Sequence, residues 1–216
     1  MDRQVCLALA FWLVTPLDAE SARDRIVSAA GELFYEHGFH AVGIDLIIER
    51  AGVAKATLYR HFRTKDDLIA AYLGVADTRF WAWFDRALVP TAAPADALTG
   101  LFDAVGELAS SPSCLGCTFQ VSAAEFPDRS HPGHAVALAH KDAVRTRLRD
   151  LAEAAGADRP EDLADGLLLI MDGAFAATRM YGPDNPGRRA GDAARAVIVA
   201  HTGARSASGP SRRRAR

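Results

Sequence analysis

GVAKATLYRHFRTKDDL, Gly52 to Leu68, decides how this chain is read. It gathers Lys55, Arg60, His61, Arg63 and Lys65 around Tyr59 and Phe62, with no acidic residue among them. In a short helix from about Lys55 to Phe62, the i, i+4 pair Leu58 and Phe62 must face inward. Ala56 and Arg60 then point outward, flanked by Thr57 and Tyr59. Such a face can enter a DNA major groove: Arg60 can offer a bidentate fork to guanine, Ala56 can touch a thymine methyl, and Thr57 can bond base edges or phosphate. Lys55, Tyr59, His61 and Lys65 would lie near the sugar–phosphate walls and fix register.

The flanking sequence supplies the frame. A helix from about Ile44 to Ala51 ends at Gly52, so helix, glycine-containing turn and helix follow one another at helix-turn-helix spacing. Upstream, Ile26, Ala29, Ala30, Leu33, Phe34 and His37 form one face of a first helix that Gly38 stops. Downstream, Thr64 and Asp67 resemble a capping box, imperfect because Asp replaces the preferred Glu, at the head of a long fourth helix reaching about Leu88, before Pro90 and Pro94. Further helices are predicted at about Ala95–Ser110, Cys117–Phe126, His131–Ala155, Pro160–Tyr181 and Pro186–Thr202, separated by SSPSCLG, FPDRSHPG, GADRP and YGPDNPG. No stretch alternates like a strand, and the expected fold is all-α.

With 216 residues, half of them hydrophobic, the chain can bury a substantial core. Its net charge of -2 excludes a surface basic all over, so DNA contact must come from a local patch. The odd, sparse set Cys6, Cys114 and Cys117 suits a reducing cytoplasm better than a secreted disulfide scaffold. The apolar run Val5 to Val14 has the length of a signal-peptide core, but the cleavage pattern near Ala19 is poor and the DNA-reading segment begins almost at once. Cytoplasmic localisation and no membrane partner are expected. The expected organisation is an N-terminal extension at 1–18, a helix-turn-helix domain at 19–64, a helical bundle at 65–204 and a disordered basic tail at 205–216.

FHAVGIDLIIERAGVAKATLYRHFRTKDDLIAAYL, Phe39 to Leu73, resembles the DNA-binding domain of TetR-type (TetR/AcrR) transcriptional regulators. The likeness spans about Ala22 to Leu73 and rests on AGV, TLYRHF and TK. It implies an N-terminal three-helix domain whose third helix is the recognition helix, with DNA-contact roles for Thr57, Tyr59, His61 and Lys65. Val42 stands where the family commonly has Thr, Gly43 offers no side chain, and Ala54 stands where Ser often caps the recognition helix. The resemblance further implies a C-terminal six-helix bundle that dimerises and captures a small effector, in a protein that more often represses than activates. Its partners would be a double-stranded, near-palindromic DNA operator, a largely apolar effector and a second copy in a homodimer.

The remaining sequence offers sites for both jobs. Gly166, Ile170, Gly173 and Ala177, with Ala190, Ala193, Ala194, Val197 and Ala200, form small-residue stripes that permit close helix approach at a dimer interface. Phe80, Trp81, Trp83 and Phe84 crowd the fourth helix. For the effector pocket we single out Trp81, Phe84, Phe102, Cys117, Phe119, Met171 and Phe175. Cys114 and Cys117 are spaced as a redox or zinc pair, with His131 and His134 following. The His-x-x-His spacing is too short for a zinc finger and the cysteines open a helix, so no metal is expected. The alternative function is a thiol-based redox sensor through Cys114 and Cys117, against small buried thiols that line the bundle. Glu125, His134 and His140 can anchor a ligand or satisfy one another. No catalytic triad, carboxylate pair or phosphate-cradling loop emerges, so neither an enzyme nor a cofactor is expected.

Overall fold

A computed structural model describes residues 21–88 and 93–203. The expected extension, the tail and Pro90 lie outside those residues. Within them the chain is helical, without strands.

Helix α1, Ala22–His37, starts where the Ser21 side chain accepts from the Asp24 amide, at 3.1 Å. Its expected inner face holds from Ile26 to Phe34, but His37 is exposed beside Glu36 and Tyr35 is buried instead. Helix α2, Ile44–Ala51, closes on Gly52 in the left-handed conformation at φ 61°, which a glycine adopts without steric cost. Helix α3 is Lys55–His61. Neither α2 nor α3 has a side-chain cap, as Gly43 and Ala54 imply, while Val42 is buried in the core.

Helix α4, Lys65–Ala87, corrects one expectation. The Asp67 carboxylate spans the turn despite its short side chain: it accepts from the Thr64 amide while Thr64 Oγ1 accepts from the Asp67 amide, both at 3.0 Å. Helices α5 (Pro94–Ala109), α6 (Thr118–Glu125), α7 (Pro132–Ala154) and α8 (Pro160–Tyr181) follow. The last segment divides into a 3-10 turn at Pro186–Arg189, held by Asn185 accepting from the Gly187 amide, and α9, Ala190–Thr202.

Two hydrophobic clusters organise these helices. The lower packs Ile26, Phe34, Ile47, Leu58 and Phe62 against Leu68, Tyr72 and Ala76 of α4. The upper packs Phe80, Trp83 and Phe84 of the same helix against α5, α7, α8 and α9. The change of cluster therefore falls between Ala76 and Phe80, about one turn of α4. Cys117 touches both clusters.

Polar ties cross between the N-terminal helices and the segment around α6. The Tyr35 hydroxyl accepts from the Leu115 amide at 2.7 Å and donates to the Gly116 carbonyl at 3.3 Å. The Tyr72 hydroxyl donates to Thr118 Oγ1 at 3.1 Å. Burial pushes the Tyr72 phenol up to about 12, so it stays a donor.

Candidate nucleic-acid interface and cavity

Leu58 and Phe62 of α3 are buried, and the opposite face is left outward: Lys55, Ala56, Arg60 and His61 are exposed, Tyr59 is 45% exposed and Thr57 lies on the flank. Lys55 pairs with Asp45 of α2 at 3.0 Å, both in solvent. Lys65 is half-buried. Burial lowers its pKa, and the nearby Glu125 and Asp66 carboxylates work the other way. The Arg23 guanidinium lies 5.4 Å from the Phe62 ring centre, a cation–π contact that seats α1 on the end of α3.

The turn from α1 to α2 is held from outside the three-helix unit. The Glu125 carboxylate, at the end of α6, accepts from the Phe39 amide at 3.1 Å and the His40 amide at 2.7 Å. The His40 ring bonds the Glu125 carbonyl at 2.9 Å and meets Phe126 edge-on. Gly38 sits at φ 84°, and a Cβ there would come within 2.4 Å of Glu125 Oε1, so the clamp needs glycine. The sequence offers Glu125 either as a ligand anchor or as a partner of His134 and His140; its carboxylate instead takes backbone amides some 85 residues away, which local periodicity cannot reveal.

A small cavity lies at the junction of the two clusters. Ala76 and Phe80 of α4, Phe119 of α6, His140 and Lys141 of α7, and Met171 and Phe175 of α8 line it, with Cys114, Gly116, Cys117 and Thr118 on one side. Its volume is about 20 Å³, room for roughly one water. Of the residues expected at an effector pocket, Cys117, Phe119, Met171 and Phe175 border this cavity. Trp81, Phe84 and Phe102 do not. Phe84 and Phe102 are fully buried in the upper cluster, and Trp81 is half-buried with its indole N–H donating to Asp77 at 3.1 Å. An aromatic stripe marks apolar faces without saying which side chain borders a void.

The polar lining comes from α7. His140 Nδ1 lies 2.7 Å from Asp77 Oδ1, and its ring stacks on Phe119 at 3.6 Å. Burial lowers the His140 pKa, only partly opposed by Asp77, so the imidazole is neutral near pH 7. Lys141 pairs with Asp172 of α8. Burial pulls the Lys141 pKa down, but Cys117 and Asp172 outweigh it and the ammonium ends above its ordinary value.

The cysteines and histidines at zinc-like spacing are engaged separately. Cys114 is buried against the Tyr35 hydroxyl, and burial raises its pKa. His131 stacks on Phe126 and approaches Asp66, while His134 bonds the Phe126 carbonyl. Among the described residues no group of three or more His, Cys, Asp or Glu could hold a metal ion. Nor, among them, is any helix long and apolar enough to cross a membrane.

The small-residue stripes divide in two. Gly166, Ala190, Ala194 and Val197 pack inside the subunit, and a Cβ at Gly166 would lie 3.4 Å from the Val197 side chain. Their burial reflects α9 lying against α5 as well as α8. Gly173, Ala193 and Ala200 face outward, with Ile170 and Ala177 on the margin. Leu169 (74%), Met180 (75%), Tyr181 (62%) and Val199 (61%) are exposed on the same helices.

Residues 26–72 match the family model of bacterial regulatory proteins, tetR family. The structure is similar to that of SCO4454, a TetR-family transcriptional regulator from Streptomyces coelicolor, with TM-score 0.79 and 33% identity over 84% of this chain and 96% of that one. In sequence the chain is similar to the HTH-type transcriptional repressor KstR2 of Mycolicibacterium smegmatis, 25% identical across 80% of this chain and 85% of that protein. The HTH-type transcriptional activator FasR of the same organism is 44% identical over 57 residues, only 26% of either chain.

Proposed function

Since the chain belongs to the TetR family of DNA-binding transcriptional regulators, we propose that it is a homodimeric repressor released from a near-palindromic operator by a small, largely apolar effector. The observation that carries this reading is the position of the cavity where the two clusters meet, on the helix that begins with Lys65. A molecule that enters so small a space must separate α4, α6 and α8, and α4 is the helix on which the DNA-reading unit packs. Its effect on operator affinity equals its difference in affinity between the DNA-competent and the opened state.

In this reading Ala56, Thr57 and Arg60 meet base edges, while Lys55, Tyr59, His61 and Lys65 meet the backbone. Gly173, Ala177 and Ala193 with exposed Leu169 and Val199 form the two-fold interface. The relatives' names include both a repressor and an activator. Repression is favoured because the match named a repressor extends over most of both chains, and the activator match covers only about a quarter of each. A thiol switch is disfavoured by the raised pKa of buried Cys114, which keeps it a poor nucleophile.

A mobility shift with the intergenic DNA beside the coding region tests the reading. A dimer-sized shifted band, lost on adding the effector and indifferent to peroxide, is expected. No shift on any such DNA would overturn it. A band lost reversibly to peroxide in the wild type, but not in Cys114→Ser/Cys117→Ser, would make the redox alternative primary.

A further inference from the structure

We infer that the effector carries a neutral hydroxyl group that donates a hydrogen bond to Nε2 of His140. This rests on the reading of the cavity as the effector site and specifies its chemistry. The His140 side chain is only 2% exposed and lines the cavity. Its Nδ1 is committed to Asp77, which fixes the proton of the neutral ring on that nitrogen and leaves the lone pair on Nε2. Among the described residues nothing donates to Nε2. Phe119 on its face and Phe80 at its edge hold the ring in place, at centroid distances of 3.6 and 4.6 Å. On a side chain so fixed at the cavity wall, an acceptor without a partner selects a donor.

The charges around the cavity narrow the choice. Of the lining side chains among the described residues, Lys141 is the cationic one, and Asp172 already neutralises it. An effector carboxylate would lose its hydration without gaining an unpaired cation, and would meet Asp77 and Asp172 nearby. A bare hydrocarbon would leave Nε2 unmatched. What remains is an apolar, preferably aromatic body, suited to Phe80, Phe119 and Phe175, with one hydroxyl. Its arrival also bears on α4 through the bond from His140 to Asp77.

Phenol, toluene and benzoate serve as probes, titrated calorimetrically into the full-length wild type and into His140→Phe, which keeps a ring against Phe119 but has no acceptor. The two ligands share any general effect of the substitution, so the phenol-to-toluene affinity ratio isolates the hydrogen bond. That ratio should fall roughly three- to tenfold in His140→Phe, with benzoate weaker than phenol in the wild type. If His140→Phe does not fold, the nitrogen resonance of His140 Nε2 in the wild type decides: phenol should shift it and toluene should not. An unchanged ratio, an unmoved resonance, or tighter binding of benzoate overturns the inference while leaving the cavity an effector site. Failure of both phenol and toluene to bind overturns the two together.

Discussion

Replacing Glu125 with alanine should loosen the DNA-reading unit although Glu125 belongs to α6. The carboxylate accepts from the part-buried Phe39 amide and the exposed His40 amide. A hydrogen bond to a charged group contributes about 1.5–3 kcal/mol. Water can replace the carboxylate at His40 but not readily at Phe39, so the expected loss is one such bond, about 1.5–3 kcal/mol, rather than two. Because each 1.4 kcal/mol is a factor of ten, exchange of the Phe39 amide with solvent deuterium should quicken by about 10- to 150-fold, with a smaller change at His40. Glu125→Gln retains an acceptor oxygen without the charge and should fall between the two. Operator affinity should drop with the same ranking, because the turn sets the direction in which α2 and α3 leave α1. Unchanged Phe39 exchange in Glu125→Ala would refute the reasoning, whatever happened to DNA binding.

Arg60→Ala should relax preference at one base position by about 1–3 kcal/mol, whereas Lys65→Ala should weaken all sequences alike; a site selection returning the wild-type preference from Arg60→Ala would remove it as a base reader. Gly173 is exposed, and a Cβ there has open space within 4 Å, so Gly173→Leu should fold normally as a monomer yet fail to dimerise; light scattering that finds a normal dimer would move the interface elsewhere. Burial lowers the His140 pKa below its ordinary 6.5, so the unfolded chain takes up that proton more readily. Its contribution to stability is complete above pH 6.5 and is lost as the pH falls through the lower folded value. Urea midpoints of His140→Phe should therefore fall less steeply below that pH than those of the wild type, and parallel slopes would count against the assignment.

Local periodicity carried much of this structure. The inward pair Leu58 and Phe62, the stop at Gly52 and the start at Thr64 each depend on residues within a turn or two, and each is where the spacing put it. What escaped depends on distant partners. Tyr35 is not on the inner face that the spacing of α1 defines, and its burial depends on Leu115 and Gly116 being brought to its hydroxyl. The sequence offers His140 as a ligand anchor or as a partner of Glu125 and His134, but Asp77 had to come from another helix to fix its proton. Among the aromatics, Phe102 and Phe119 are equally apolar in sequence, and only the packing of α6 on α7 makes Phe119 border the cavity. The stripe on α8 and α9 was visible as small residues, yet the half that packs within the subunit cannot be separated from the outward half without the position of α5.

The sharing of α4 between two clusters bears on how this head could be transplanted. A boundary at residue 64, natural from the sequence, would cut at the Thr64 cap and strip Leu68, Tyr72 and Ala76 from the core that Leu58 and Phe62 need. Grafted onto another regulator's bundle at that point, the head would arrive without its floor. A chimera cut inside α4, after Ala76 and before Phe80, would carry the lower cluster entire along that helix and meet the recipient where one helical turn already divides the packing. Even then the α1–α2 turn would arrive without its clamp unless the recipient offered a carboxylate at the end of its own α6, so the portable piece of this protein is discontinuous in sequence.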